Sequence, residues 1–425
     1  MRPAYRIFLD RDSYAARFRV TTLFLPSSLR TVSAETTLLH AKKLAAVEGI
    51  SRVTDTTRLD KIGIPVFASI RPAAKFGSLC VNAGKGLRPI DAQVGAFMEA
   101  IEFSRAEPDR SHVEIVMATS KDVLDAATRP EAILDFCPIA RRSFDPASDL
   151  ACTEAYEVIG DRTTLVPAEL VFLPYVGPRG TGNFGSTSNG LASGNTLPEA
   201  FLHGLLETIE RDIRSFDELF PSSSVVRIKS LPVELQEQVE RITNAGLDIF
   251  IRALASEFGI PCFEVGILDR SADSPVYFNG GYGCHTHRDI AIVRALTEAV
   301  QSRLSWIHGG RDDLTGPFLD AAKIPAPLRA TIAIEQFEQH ATEGSIAEYE
   351  SLGDLSNAAS TIQAATELVI DSLLKNGIRH ICRVSLTLPD ELLQVVKVIV
   401  PRLEQPYPGP RVGPRLRARV RRGRT

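Results

Sequence analysis

Three glutamate-bearing stretches hold the chemistry of this chain. Glu99 and Glu102 lie in DAQVGAFMEAIEFSRAE, Glu207 and Glu210 in LPEAFLHGLLETIERDI, and Glu298, followed by Gln301, in DIAIVRALTEAVQSRLSWI. Apolar residues recur at helical spacing in each, so an i, i+3 pair projects from one helix face about 5–6 Å apart. Small or apolar neighbours flank the acids: Ala96 and Ala100, Leu206 and Ile209, Leu296 and Val300. Carboxylates on such a face are costly to bury without a cationic partner, and several together repel one another unless hard metal ions bridge them. A single such pair is more often a solvated helix face. Three of them, each after a strand or glycine-rich turn, point to a magnesium-dependent site with phosphate as second ligand.

Other constellations are weaker. Gly180, Gly182 and Gly185 match G-x-G-x-x-G, but a dinucleotide site needs a helix to open at once, and Ser-Thr-Ser-Asn-Gly follows instead. The Walker pattern is absent, because the NAGKG segment ends in Gly86 where Ser or Thr is required. Residues 185–195 are rich in Gly and Ser and suit phosphate or ribose contacts, with a plain connector as the alternative. His285 and His287 form an H-x-H without acidic or Cys partners. Cys284 beside them reads as a packed thiol. Arg294 and Glu298 have the spacing of an i, i+4 surface pair.

The elements that must position these residues follow from pattern. A helix over SAETTLLHAKKLAAVEGI has a Ser33–Thr36 start signal and Gly49 as its stop. IPVFASIRP and SLCVNAGKG read as strands, and the first glutamate helix begins near Pro89. HVEIVMATS and LVPAELVFLPY are further strands. Thr196 and Glu199 have the spacing of a capping box opening the second glutamate helix. PCFEVGILDR and SPVYFNGGYGCH form a strand pair before the third. After Asp313 the chain reads as accessory, with an amphipathic helix near 354–376 and two closing strands, HICRVSLT and VVKVIV. Strands alternate with helices without a regular βαβ period, so the class is α+β, with mixed sheets and packed helices.

Composition sets the outer bounds. The chain has 425 residues, 44% hydrophobic, with mean hydropathy near zero, which fits a globular protein with a substantial core. No apolar run approaches the roughly 20 residues of a membrane helix, and the start lacks a signal-peptide core, so a cytoplasmic protein with no membrane contact is expected. Six cysteines without CxxC spacing argue against a zinc ribbon or disulfide framework. Residues 411–425 carry seven arginines and no acid, so the rest of the chain holds −11 of the overall −4. Such a tail is usually disordered and does not by itself imply specific nucleic-acid binding.

The segments IPVFASIRP, NAGKG, GAFMEAIE, SNGLASGNTLPEAFLHGLLETIERD and GYGCHTHRDIAIVRALTEAVQSRL resemble, in order, the YcaO superfamily, over roughly residues 30–403. The resemblance implies a catalytic domain over 30–403, between a lead-in over 1–29 and a Pro- and Arg-rich tail over 404–425. It also implies an ATP-dependent enzyme that activates a peptide backbone amide, with a nonstandard nucleotide site in which ExxE helices hold Mg2+ against the triphosphate. Carried over by position, Glu99, Glu102, Glu207, Glu210 and Glu298 are the metal set, and Asn195, Glu199 and Arg294 belong to the nucleotide site. Arg30 stands for a basic N-terminal contact. Glu199 has a simpler role open to it as a helix cap. A serine of the family's glycine loop falls on Ala192, with Ser193 next to it.

In that family a nucleophile attacks the amide carbon, the oxygen takes the γ-phosphoryl group, and phosphate leaves. A neighbouring Cys, Ser or Thr gives an azoline, external sulfide a thioamide, and an internal amine an amidine. Azoline formers often end in PxPxP; here Pro406, Pro408 and Pro410 match, but fifteen residues follow. The block around His203 and the VIVPRLE ending resemble members that work beside a TfuA-like protein in thioamidation. The expected substrate is a ribosomally made peptide or protein, with a TfuA-like sulfur-delivery partner or a ThiF-like peptide-binding partner, and a homodimer is compatible. An azoline-forming cyclodehydratase is the alternative, and a non-catalytic peptide-binding scaffold the alternative of another class.

Overall fold

The computed structural model describes residues 22–25, 28–124, 129–139, 149–177, 182–271, 274, 276–405, 411 and 413–422. Most of the 1–29 lead-in, Gly180 and the Pro406–Pro410 motif lie outside them. β1 (Leu23–Leu25) and β2 (Ser28–Arg30) form a hairpin before α1 (Ala34–Leu44), whose N-cap Ser33 accepts from the Thr36 N–H. β3 (Arg52–Asp55), β4 (Val66–Ile70) and β5 (Val81–Lys85) make an antiparallel sheet covered by α2 (Pro89–Arg105), with Pro89 in its first turn. β6 (Val116–Thr119), β7 (Asp149–Glu157), β8 (Arg162–Pro167) and β9 (Leu191–Gly194) belong to a second sheet, and α3 (Leu197–Leu219) follows β9 directly. β10 (Ser224–Val226), β11 (Asp248–Ala253), β12 (Cys262–Leu268) and β13 (Phe278–Cys284) build a third sheet, packed under α5 (Arg288–His308), with α4 (Val233–Asn244) connecting β10 to β11.

The segment expected to be accessory is more than an appendage. After α6 (Thr315–Ala322) and α7 (Ala326–Thr342), β14 (Ile346–Ala347) adds to the third sheet in parallel with β10. The expected amphipathic helix is α8 (Ile362–Lys375), and β15 (Cys382–Ser385) and β16 (Gln394–Ile399) complete the second sheet. Apart from the β10–β14 pair the ladders are antiparallel, and helices pack on the sheets, so the α+β class holds.

The basic tail is ordered where it is described, contrary to the expectation of disorder. α9 (Pro414–Arg422) opens on the buried Glu404 carboxylate, which accepts from the N–H groups of Gly413, Arg415 and Leu416. Arg415 then pairs with buried Asp212 on α3 and lies over the rings of Phe216 and Phe258. A buried acid at a helix N-terminus and a second one beside its first arginine supply the order that charge count alone does not reveal.

Candidate active site

Three sheets each present an edge strand to one cleft: β5, β9 and β13. Close approach of helix to strand makes this geometry. A Cβ on Gly84 of β5 would fall 2.0 Å from the Ala96 nitrogen and 2.1 Å from the Ala92 oxygen of α2. One on Gly281 of β13 would fall 2.1 Å from the Ala299 nitrogen of α5. With glycine there, the helices lie against the strands, and the glutamates reach strand N–H groups that have no ladder partner. Glu99 accepts from Ala83 N (2.8 Å), Glu298 from Tyr282 N (3.4 Å), and Glu210 from Cys284 N (3.1 Å). Gln301 donates to the Ala83 carbonyl, so both free groups of that residue are used. Glu102 accepts from Ser193 Oγ of β9 at 2.5 Å.

The cleft encloses about 890 Å³. Glu99, Glu102, Glu207, Glu210 and Glu298 all line it, as do Arg30, Glu199 and Arg294. Asn195 stands behind them, its amide donating to Thr37 Oγ1 (3.0 Å) and Glu199 Oε1 (3.2 Å). The capping box at Thr196 does not form. Glu199 instead accepts from Arg30 Nη1 (2.9 Å) and from the N–H and hydroxyl of Thr31 (3.0 and 2.8 Å), while Thr196 Oγ1 is left without a partner. The β1–β2 hairpin brings a guanidinium and a backbone donor to that carboxylate, a stronger offer than the cap's own N–H. Arg294 donates to His203 Nε2 (3.2 Å), on a neighbouring helix. Alternation along β9 turns Ala192 into the core and Ser193 into the cleft, so the hydroxyl available here is Ser193.

Several cleft groups had no place in the sequence reading. Lys85 lies 2.5 Å from Glu298 Oε2, and its only signal was the NAGKG segment. Arg211 follows Glu210 directly and Arg311 follows α5; both line the cleft. Other motifs resolve as structural. The loop after Gly180 gives the N–H groups of Gly182, Asn183 and Phe184 to the buried Glu169 carboxylate. His287 Nε2 meets the Ala359 carbonyl, and His285 Nδ1 accepts the His287 N–H. Cys284 is buried opposite Cys262.

The carboxylates differ in charge state. Burial pushes Glu99, Glu207 and Glu210 above the ordinary range. Burial also takes Glu102 to about 8, with Glu99 and Glu207 adding to the rise against the Ser193 hydrogen bond. Glu298 goes the other way: burial opposes its ionisation, but Lys85, Arg211 and Arg294 hold it at about 2. His203 is kept neutral, well below the usual range, by burial and by Arg294.

The donor set suits Mg2+ and a polyphosphate. Among the described residues, no three His, Cys, Asp or Glu side chains gather tightly enough to hold an ion by themselves. Hard oxygen donors spread around a cleft are the arrangement Mg2+ uses when it keeps water and takes phosphate oxygens for the remaining positions. Carboxyls raised by burial and mutual repulsion favour a cation in their midst. Arg294 Nε, His203 Nδ1 and Asn195 Oδ1 are buried without a protein partner, a set of polar groups beside the carboxylates that a ligand would satisfy. No helix among the described residues is long and apolar enough to cross a membrane.

Known proteins resemble this chain over most of its length. The family described as YcaO cyclodehydratase, ATP- and Mg2+-binding, matches residues 83–404. A protein of Methanothermobacter thermautotrophicus is 33% identical over 391 residues, 91% of this chain and 98% of that one. A Rhizobium leguminosarum bv. trifolii protein, described as lying in the tfuA 3' region, is 32% identical over 369 residues, 84% of each chain. The fold is shared with YcaO from Methanopyrus kandleri bound with AMPPCP and Mg2+, at TM-score 0.70 and 24% identity, covering 90% of this chain and 94% of that one. It is shared also with a heterocyclase in complex with substrate and cofactor, at TM-score 0.69 and 20% identity, covering 91% and 55%. With its cleft of convergent carboxylates and a family match across three-quarters of its length, the chain belongs to the YcaO family, whose cofactors are ATP and Mg2+.

Proposed function

We propose that this protein uses ATP and Mg2+ to activate a backbone amide of a ribosomally made peptide or protein, and that the amide oxygen is exchanged for sulfur to give a thioamide. The observation that carries the amide-activation reading is the convergence of five glutamates from three helices on one cleft. Glu99, Glu102, Glu207, Glu210 and Glu298 would hold the metal ions. Arg30, Asn195, Glu199 and Arg294 would hold the nucleotide. When bound, ATP supplies the phosphoryl group that turns the amide oxygen into a leaving group, and Mg2+ neutralises the polyphosphate. Lys85 keeps Glu298 ionised in advance, and His203, held neutral, accepts from Arg294 and so orients its guanidinium.

Sulfur from outside the chain is supported by the cysteines. None of the described thiols lines the cleft, and burial raises those of Cys137, Cys152, Cys262 and Cys382 above the usual range, a setting for inert rather than nucleophilic thiols. The tfuA context of the Rhizobium relative supports a TfuA-like partner as the source. The family description favours a second reading on the same site, cyclodehydration of a peptide Cys, Ser or Thr to an azoline. A silent scaffold would have little use for so many recessed acids.

The test compares peptide masses from source cells with the gene intact and deleted. Exchange of oxygen for sulfur in a peptide of the intact cells bears out the thioamide. Loss of one water selects the azoline instead. Calorimetry with ATP and millimolar Mg2+ tests the site itself, and absence of binding by folded protein would overturn the whole reading.

A further inference from the structure

The cleft lining also includes side chains with no part in the proposed metal and nucleotide sites. There β12, β13 and α7 bring together Glu264, Tyr282 and His340. The Tyr282 hydroxyl donates to Glu264 Oε1 (3.1 Å), and His340 Nδ1 lies 3.3 Å from Glu264 Oε2. Both oxygens of a carboxylate that is 4% exposed are thus committed, one to fixing the acid and the other to fixing the imidazole. Phe250 and Phe278 flank the ring, with centroids 5.8 and 6.5 Å away. Yet the His340 side chain is 42% exposed and lines the cleft. With Nδ1 engaged, Nε2 is the nitrogen that remains for a ligand. An imidazole pinned at one nitrogen by a buried carboxylate is poised to take a proton at the other. The same tyrosine links this group to the glutamates, since its backbone N–H meets Glu298.

We propose that His340, oriented by Glu264, is the general base for the nucleophile that attacks the amide carbon. This rests on the amide-activation reading above. As hydrosulfide or a thiol adds, the carbon–sulfur bond forms and the carbonyl π pair moves onto oxygen. The S–H proton passes to His340 Nε2, while the Nδ1–H stays hydrogen-bonded to Glu264. Tyr282 and Glu264 are positioning residues. The charged groups facing the imidazole are Glu264 on β12, Arg252 on β11 and Asp217 on α3, with Tyr282 on β13; β10 contributes none. The Glu264 hydrogen bond raises the His340 pKa against burial, and Arg252 opposes the rise.

The experiment adds purified protein to lysate of gene-deleted cells, which supplies partner and sulfur. Its probe is the synthetic unmodified form of the peptide whose mass changes in intact cells. His340→Gln should slow modification by about 10²-fold or more while nucleotide binding by calorimetry persists. Glu264→Gln should move the acidic limb of the pH–rate profile to lower pH, because the carboxylate that favours the imidazolium is gone. A merely structural link between α7 and β12 would leave that limb in place. Wild-type rates and an unmoved limb in both variants overturn the proposal. If His340→Gln does not fold, the Glu264→Gln profile decides alone. Should the wild-type protein itself modify no peptide, the amide-activation reading fails, and this proposal with it.

Discussion

Lys85 Nζ lies 2.5 Å from Glu298 Oε2, joining the edge strand of one sheet to a helix packed on another, 213 residues further along the chain. The pair divides the cleft electrically. Glu298 is ionised throughout the physiological range, whereas Glu102, at about 8, holds its proton until a cation arrives. Binding of Mg2+ is therefore expected to release protons at neutral pH.

Lys85→Met removes the charge that lies closest to Glu298. Its carboxyl should then rise toward those of its neighbours and carry a proton at neutral pH for part of the time. Calorimetry in buffers of different ionisation enthalpy should show more protons released per Mg2+ bound than in the wild type. An unchanged proton count would mean that Arg211 and Arg294 suffice to keep Glu298 charged.

Stability of the metal-free protein should fall as pH rises from about 5 to 8. Glu102 has its folded pKa raised from 4.5 to about 8, so across that window the folded state binds a proton the unfolded chain has lost. The slope for one such group is at most about 1.4 kcal/mol per pH unit. Glu99, Glu207 and Glu210 are shifted the same way and steepen it. Thermal unfolding across the window checks the sign. Glu102→Gln should flatten the curve, and millimolar Mg2+ should raise the wild-type curve most at its alkaline end.

Gly84→Ala should be severely destabilising, by about 3 kcal/mol or more, because the new methyl meets backbone atoms of α2 and no flexible side chain can yield. Whatever fraction folds must push α2 away from β5 and draw Glu99 off the Ala83 N–H. Weakened Mg2+ binding in the folded fraction would accompany the drop in melting temperature. Intact stability would show that α2 can slide without cost.

Arg415→Ala should cost about 3 kcal/mol, since Asp212 is buried on α3 and would lose its cation. The double variant with Asp212→Asn should be less destabilised than the sum of the singles. Chemical denaturation of the four proteins closes the cycle. Additive losses would place the tail's contribution in Leu416 and the aromatic contacts instead.

The glutamate pairs, their helices and most strands were legible in the sequence because each depends on short-range periodicity. Glycine at positions 84 and 281 was visible too, as part of strands delivering carboxylates, though not as the contact that sets helix against strand. The capping box at Thr196 misled because its spacing was right and a competitor was not visible: Arg30 and Thr31 reach Glu199 from 169 and 168 residues away. The accessory reading of the segment after Asp313 failed for a related reason. Its pattern is unremarkable, and only packing of α7 on β11, β12 and β13 brings Gln336, Gln339 and His340 to the cleft.

By itself, then, the sequence determined which faces carry acid, where the helices start and that the chain builds mixed sheets, since these follow from local spacing and burial of apolar area. Tertiary structure alone decided which cation meets which acid. It set three sheet edges around one cleft, gave Glu298 to Lys85 and Glu264 to His340, and docked Arg415 on Asp212. Partner choice among long side chains depends on where packed elements leave them, and a difference of a few ångströms there changes the charge state of a buried carboxyl by several pH units.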